Sequence, residues 1–156
     1  MIDLKKAQRT LWLFGLFKIP MIGYVGPKII VFDEDKIVVK VPYKRRTLNH
    51  LKSVYLGALV VGADLVAGFH AFYLARAMKL NVSLVFKDFK AEFIKRPMSD
   101  VYFICEEGQN VKAMIERSIE SGERITEDIH IKAYTNYPDE MEHIADFSLG
   151  LSLKVK

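Results

Sequence analysis

Residues 49–78 contain the feature that most restricts how this chain can fold, an apolar stretch with a single carboxylate inside it. The stretch reads NHLKSVYLGALVVGADLVAGFHAFYLARAM, and between Ser53 and Ala75 its only formal charge is Asp64. Burial disfavours the charged form of a carboxyl group, so an isolated Asp in such surroundings needs either a partner or a function. The stretch therefore predicts a helix that is buried on nearly all sides, with Asp64 as its exceptional residue.

The length of this stretch would also suit a membrane span, because residues 54–75 could cover roughly 30 Å of hydrocarbon as a helix. Asp64 and His70 lie inside it, however. A carboxylate at the bilayer centre costs roughly 2.5–3.5 kcal/mol on insertion scales. The apolar and polar residues in the rest of the chain follow the periodicities of amphipathic strands and helices, as in soluble α+β proteins. We therefore expect a core helix wrapped by a sheet, and no membrane partner.

The composition indicates one globular domain over residues 1–156, since 51% of the residues are hydrophobic and 27% are charged. The net charge of +4 is too small to indicate nucleic-acid binding. Cys105 is the only cysteine, which excludes an intramolecular disulfide and makes a reduced, cytoplasmic setting the default. The first residues carry charges before a short apolar run and show no cleavage site, so we expect no signal peptide.

Hydrophobic periodicity predicts two further helices and six strands around the central one. The N-terminal segment 1–20 holds a helix over 3–17 that ends before Pro20, and residues 53–78 form the central helix with Ser53 as its N-cap. Three glycines in that helix, Gly57, Gly62 and Gly68, indicate close approach of neighbouring chain. The remaining predicted elements are strands over 29–32, 36–41, 82–95, 100–106, 124–134 and 144–156, and a helix over 108–122.

The strand over 82–95 changes its alternation at Lys87-Asp88, which predicts a β-bulge that bends the strand. Short connections between the last four strands favour an antiparallel sheet. An antiparallel sheet of about six strands curved around one long helix is the hotdog architecture, of the α+β class.

The run from Asn49 to Ala58, continuing to Asp64, resembles hotdog-fold thioesterases of the phenylacetate-pathway type. It is most similar to their subgroup DUF4442, a domain of unknown function. The family pattern is an Asn, then His-Gly-Gly at the start of the central helix, then a carboxylate about two turns later. Asn49 matches the Asn, Gly57 the second Gly and Asp64 the carboxylate, whereas Tyr55 and Leu56 replace the His and the first Gly.

The resemblance implies an acyl-CoA thioesterase that acts as a homodimer or dimer of dimers. Asp64 would be the general base or nucleophile, and the backbone amides of Leu56 and Gly57 would stabilise the oxyanion. Asn49 would position the water or the carbonyl, with help from Ser53. Seven residues separate Gly57 from Asp64, roughly 10 Å along one helix, and the family brings the two groups together across the dimer interface.

Coenzyme A is part of such a substrate, so neither a separate cofactor nor a metal is expected. Its phosphates need cations, and Arg46 and Arg45 lie nearest in sequence, ahead of Lys90 and its neighbours Lys87, Lys95 and Arg96. Two alternatives stay open. Tyr55 and Leu56 would favour an acyl-binding hotdog protein without catalysis, and a hotdog dehydratase is less favoured because no His occupies the expected position.

Overall fold

The computed structural model describes residues 2–156, which contain four α-helices and six strands. Met1, the first residue of the predicted N-terminal segment, lies outside the described residues. The helices are α1 (Leu4–Phe17), α2 (Pro20–Val25), α3 (Leu56–Ala77) and α4 (Gly108–Ser121). The strands are β1 (Lys28–Phe32), β2 (Ile37–Val41), β3 (Val82–Phe93), β4 (Val101–Cys105), β5 (Ile125–Thr135) and β6 (Glu142–Val155).

The six strands form one antiparallel sheet in the order β1-β2-β4-β5-β6-β3. Its inner face carries the apolar side chains of alternating positions, and these pack around α3. A long helix enclosed by a curved antiparallel sheet confirms the predicted α+β hotdog fold. β3 lies at the edge of the sheet and pairs only with β6 among the described residues.

The predicted bulge in β3 is confirmed by its pairing with β6. Phe86 pairs with Leu151 and Phe89 with Leu149, so Lys87 and Asp88 together face Gly150. A Cβ atom on Gly150 would lie 2.6 Å from Oδ1 of Asp88, so the glycine makes room for this side chain. The extra residue increases the local twist, which lets the long edge strand follow the curve of the sheet.

Most of α3 is buried, as its apolar sequence predicts. By length and composition the helix could cross a membrane, but most of it lies inside the fold, as in the core helix of a soluble protein. Gly62 is required by close approach, because a Cβ atom there would overlap the ring of buried Phe103. Gly68 is less constrained, since its Cβ would lie 3.4 Å from Phe86, an ordinary contact.

The central helix begins later than predicted, at Leu56 rather than residue 53. Residues 48–54 form a closed turn with a bridge between Leu48 and Val54. Ser53 therefore does not cap the helix, and the N-cap position belongs to Tyr55, whose side chain makes no capping hydrogen bond. The prediction of Ser53 as N-cap was wrong because this turn already engages its polar groups.

The region before β1 contains one more helix than predicted. Oδ1 of Asp3 accepts hydrogen bonds from the amides of Lys5 and Lys6 at 2.9 and 3.2 Å and so caps α1. Pro20 does follow the end of α1, but it also begins α2, because its fixed φ suits the first turn of a helix. Gly26 ends α2 at a φ of 71°, a left-handed conformation that glycine adopts readily.

Candidate functional site

Asp64 lines an apolar cavity of about 440 Å³ between α3, the N-terminal helices and β3. This cavity, here called the Asp64 cavity, contains no other ionisable side chain among its lining residues. Those residues are Phe14, Ile19, Ile22, Leu65, Gly68, Phe69, Phe72, Val82, Leu84 and Phe86. An apolar pocket of this size with one polar group is typical of a site that binds a small apolar ligand and orients it.

Burial raises the pKa of the Asp64 carboxyl group above its ordinary value of 3.8. No Lys or Arg among residues 2–156 forms a salt bridge with it. Its environment therefore disfavours the charged form without a compensating cation. A carboxylate whose pKa is raised in this way is a better proton acceptor near neutral pH than an exposed one.

The start of α3 lies in a second, more open cleft of about 400 Å³. The cleft is lined by Asn49, Ser53, Val54, Leu56, Leu59, Phe93, Ile94, Lys95, Arg96 and Pro97. The first helical hydrogen bond is donated by Leu59 to the carbonyl of Tyr55 at 3.1 Å. Within residues 2–156, the amides of Leu56, Gly57 and Ala58 donate to no acceptor, so this helix start can bind a negatively charged oxygen.

Asn49 and Ser53 hold the turn that leads into α3. Oδ1 of Asn49 accepts hydrogen bonds from the amides of Leu51 and Ser53 at 2.9 and 3.1 Å. Its Nδ2 donates to Oγ of buried Ser53 at 2.8 Å. Both side chains line the helix-start cleft, but in this arrangement they orient the loop.

Tyr55 and Leu56 shape the entrance to the helix start. The Tyr55 ring lies against Gly57, and a Cβ atom on that glycine would overlap it. The Leu56 side chain is 52% exposed and lines the cleft. The residues that replace the His and the first Gly of the resembled pattern therefore narrow the approach to the free amides and leave those amides unpaired.

The cations that line the cleft are not the ones that lie nearest to Asn49 in the sequence. Arg45 and Arg46 lie in a 3₁₀ turn over Arg45–Thr47, and the Arg46 guanidinium packs against Gly26 after α2. Lys90 is exposed on β3. Lys95 and Arg96 line the helix-start cleft directly. Lys95 pairs with Glu142, whereas Arg96 makes no salt bridge to a carboxylate among residues 2–156.

The two cavities lie beside opposite ends of the edge strand β3. Val82, Leu84 and Phe86 in its first half line the Asp64 cavity, and Phe93 at its end lines the helix-start cleft. Seven residues from Phe86 to Phe93 correspond to roughly 23 Å along a strand. Within one chain, Asp64 and the free amides therefore do not converge on one bound group.

The remaining candidate side chains lie away from both cavities. His70 is fully buried on α3, with no hydrogen-bond partner among residues 2–156, and burial lowers its pKa although the nearby Asp33 and Glu34 backbone opposes this shift. Burial likewise raises the pKa of Cys105 to about 12. Neither residue lines a described cavity that contains Asp64 or Leu56.

Sequence periodicity missed part of the Asp64 cavity. Ile19 and Ile22, which flank the start of α2, line this cavity, yet no helix was predicted between Pro20 and the strand over 29–32. Pro20, followed five residues later by Val25 and then Gly26, was the available signal, because proline is common at the first position of a helix and glycine just after its end.

The six-stranded antiparallel sheet around α3 defines a protein of the hotdog fold. The chain belongs to the DUF4442 family, described as a domain of unknown function, whose model matches residues 7–140. No curated protein matches the chain in sequence. The resemblance predicted from Asn49, Gly57 and Asp64 is thereby confirmed at the level of family and fold.

Solved structures with the same fold include a protein with unknown function from Chlorobaculum tepidum, with a TM-score of 0.83 at 12% identity, covering 98% of this chain and 97% of that chain. A candidate thioesterase from Shewanella oneidensis has a TM-score of 0.79 at 12% identity, and the match covers 97% of this chain and 99% of that chain. A thioesterase family protein from Silicibacter pomeroyi has a TM-score of 0.70 at 16% identity, and the match covers 99% of this chain and 100% of that chain. At these identities the likeness concerns the fold.

Proposed function

We propose that the protein is an acyl-CoA thioesterase that hydrolyses its substrate at the interface of a homodimer. The observation that carries this proposal is Asp64, a carboxyl group with a raised pKa in an apolar cavity of about 440 Å³. The cavity would hold the acyl chain, and Asp64 would lie beside its reacting end. The thioesterase names of solved proteins with this fold add support at the level of the general reaction.

A second subunit would supply the part of the site that one chain lacks. β3 is a 12-residue edge strand, long enough to pair with its own copy. Antiparallel pairing about a twofold axis near the bulge would bring the partner's end of β3 beside the first half of this strand. The helix-start cleft of one subunit would then meet the Asp64 cavity of the other.

In this arrangement, the ionised Asp64 carboxylate would take a proton from a water molecule as the water oxygen attacks the thioester carbonyl carbon. The partner's amides at the start of α3 would donate hydrogen bonds to the oxyanion that forms on the carbonyl oxygen. Collapse of this intermediate breaks the carbon–sulfur bond. The coenzyme A thiolate leaves and takes up the proton held by Asp64, which gives the free acid and the thiol.

The coenzyme A portion would lie on the helix-start cleft. Arg96 lines this cleft, is exposed and has no carboxylate partner within residues 2–156. It is therefore a stronger candidate for a phosphate contact than Arg46, which packs against Gly26. Arg45 and Lys90 remain candidates from the surrounding surface, where long side chains can reach a flexible ligand.

A second function is favoured by one specific observation, the Tyr55 ring that covers Gly57 together with the Leu56 side chain in the cleft. If these groups exclude a thioester carbonyl from the free amides, the protein would bind acyl chains without hydrolysing them. This alternative predicts tight binding of an acyl-CoA and no release of thiol.

The deciding experiment is an acyl-CoA panel with free-thiol detection on wild type, Asp64→Asn and the control Asp128→Asn. Asp128 is an exposed carboxylate on β5 that lines neither cavity. We expect Asp64→Asn to lower kcat by at least about a hundredfold, as loss of a general base does, and Asp128→Asn to retain wild-type rates.

Equal rates for wild type and Asp64→Asn, or no release of thiol from any acyl-CoA, would refute the proposal. Isothermal calorimetry on the same panel then separates the two remaining cases. Saturable binding without turnover supports the acyl-binding alternative, and no binding excludes both.

A further inference from the structure

The N-terminal helices expose several large apolar side chains that line neither the Asp64 cavity nor the helix-start cleft. We define the N-terminal apolar patch as Trp12, Leu13, Leu16, Phe17, Met21 and Tyr24. All six side chains are exposed, and Phe17 is 73% exposed. Scattered apolar residues are normal on a protein surface, but six large ones on two adjoining helices form the kind of patch that marks an interaction site.

Packing of the two helices places these residues outward. α1 buries Ala7, Leu11 and Gly15 against the rest of the fold. A Cβ atom on Gly15 would lie 2.8 Å from the amide nitrogen of Gly23, so the backbones of α1 and α2 touch where they cross. With the inner face already filled, the large side chains of the last two turns of α1 have no place in the core.

The segment that carries this patch is rich in cations. The first 28 residues contain five basic side chains, Lys5, Lys6, Arg9, Lys18 and Lys28, and one acidic one, Asp3. Asp3 is occupied in capping α1. None of the five cations forms a salt bridge among residues 2–156. On α1, the outward face is cationic in the first turns and apolar in the last ones.

We propose that the N-terminal apolar patch docks on the surface of an anionic lipid bilayer. Apolar and aromatic side chains beside lysine and arginine are the combination that binds at the boundary between headgroups and acyl chains. A second copy fits less well, because a twofold contact through this patch would bring two sets of five unpaired cations together. The docking is peripheral, and it replaces the expectation of no membrane partner.

The patch also lies on the helices that line the Asp64 cavity. Phe14, Ile19 and Ile22 come from α1 and α2 or the link between them, and they face the cavity. Docking would therefore hold the cavity close to the lipid surface, where long acyl chains partition. Binding to the bilayer does not depend on catalysis, so this inference stands or fails apart from the proposed hydrolysis.

Trp12 makes the docking directly measurable, because it is the only tryptophan of the chain and is 61% exposed. The full-length protein is titrated with vesicles of phosphatidylcholine alone and with phosphatidylcholine containing phosphatidylglycerol. We expect a blue shift of Trp12 emission with the anionic vesicles only, quenching by brominated acyl chains, and co-flotation of the protein.

Two variants and two controls test the surface itself. Leu16→Ser with Phe17→Ser should abolish flotation. Lys5→Gln, Lys6→Gln and Arg9→Gln together should weaken binding by about a hundredfold, at about fivefold for each cation. The controls are Ile119→Ser, an exposed apolar residue on α4, and Lys112→Gln with Lys132→Gln and Lys154→Gln, which change the net charge equally elsewhere. Both controls should float like wild type.

Three results would overturn the proposal. The first is no spectral shift and no flotation with anionic vesicles. The second is equal binding by wild type and the patch variants. The third is a blue shift that depends on protein concentration without vesicles, which would assign the patch to contact between copies. Far-ultraviolet circular dichroism of each variant establishes that it is folded before its binding is compared.

Discussion

Asp64 and Leu56 belong to the same helix, yet they line two different cavities. Eight residues correspond to roughly 12 Å along α3. Asp64 lines an apolar cavity under the N-terminal helices, whereas Leu56, the first residue of α3, lines an open cleft at the other end of β3. In the function proposed above, a second copy of the chain would bring the Asp64 carboxylate of one subunit to the helix start of the other.

Replacing Asp64 with Asn should stabilise the protein increasingly as the pH rises. The pKa of Asp64 is raised in the folded state, so its contribution to stability is present below the ordinary value of 3.8 and is lost as the pH rises through the folded pKa. The neutral amide of Asn does not ionise, so the variant keeps its stability as the pH rises. Thermal midpoints of wild type and Asp64→Asn, measured from below pH 3.8 upward, test this. A difference between the two midpoints that does not change with pH would contradict the prediction.

Replacing Gly62 or Gly68 of α3 with alanine should change the stability of the protein in opposite directions. Gly68→Ala should stabilise by up to about 1 kcal/mol, because alanine favours the helix and its Cβ makes ordinary contacts with Phe86 and Leu84. Gly62→Ala should destabilise by about 1–3 kcal/mol through overlap with buried Phe103. Thermal midpoints separate the two, and a higher midpoint for Gly62→Ala would contradict the packing described.

A charge on β3 should dissociate the proposed dimer. Phe89 is exposed just after the bulge, near the proposed twofold axis. Phe89→Asp would place two carboxylates near each other, so we expect self-association at least tenfold weaker. Sedimentation velocity of wild type, Phe89→Asp and the control Ile119→Asp measures it. A monomeric wild type would refute the β3 interface, as would a variant that associates equally well.

Cys105 should be unreactive in the folded protein. The thiol is buried, and burial raises its pKa to about 12, so little nucleophilic thiolate forms at neutral pH. A disulfide reagent such as Ellman's should detect no thiol per native chain and one per chain in denaturant. Rapid reaction of the native protein would contradict this burial. The same measurement ensures that thiol released in the acyl-CoA assay comes from substrate.

Much of the fold follows from local patterns. The apolar run around Asp64 predicted a helix enclosed by the sheet. The change in apolar-polar alternation at Lys87-Asp88 predicted the bulge in β3. Ends of elements were less predictable. Ser53 is a common N-cap residue, but the turn that Asn49 closes engages Ser53, and α3 starts at Leu56 instead.

The candidate site was also predictable only in part from the sequence. Asp64 stood out in the sequence because an isolated charge in an apolar run has few structural explanations. Arg46 was ranked by its closeness to Asn49 along the chain, whereas Arg96, fifty positions further on, lines the cleft. Trp12, in the apolar run of α1, is 61% exposed rather than part of the core. Sequence distance carries no information on which loops meet.

The sequence by itself determined the central helix, the alternation of the strands and the position of the lone carboxylate, because these depend on residue type and spacing along the chain. Only the tertiary structure decided which cavity Asp64 faces, which amides stay unpaired and which apolar side chains remain outside the core. Those outcomes depend on how distant segments pack. Gly15 against Gly23 and Phe103 against Gly62 are contacts that no local pattern specifies.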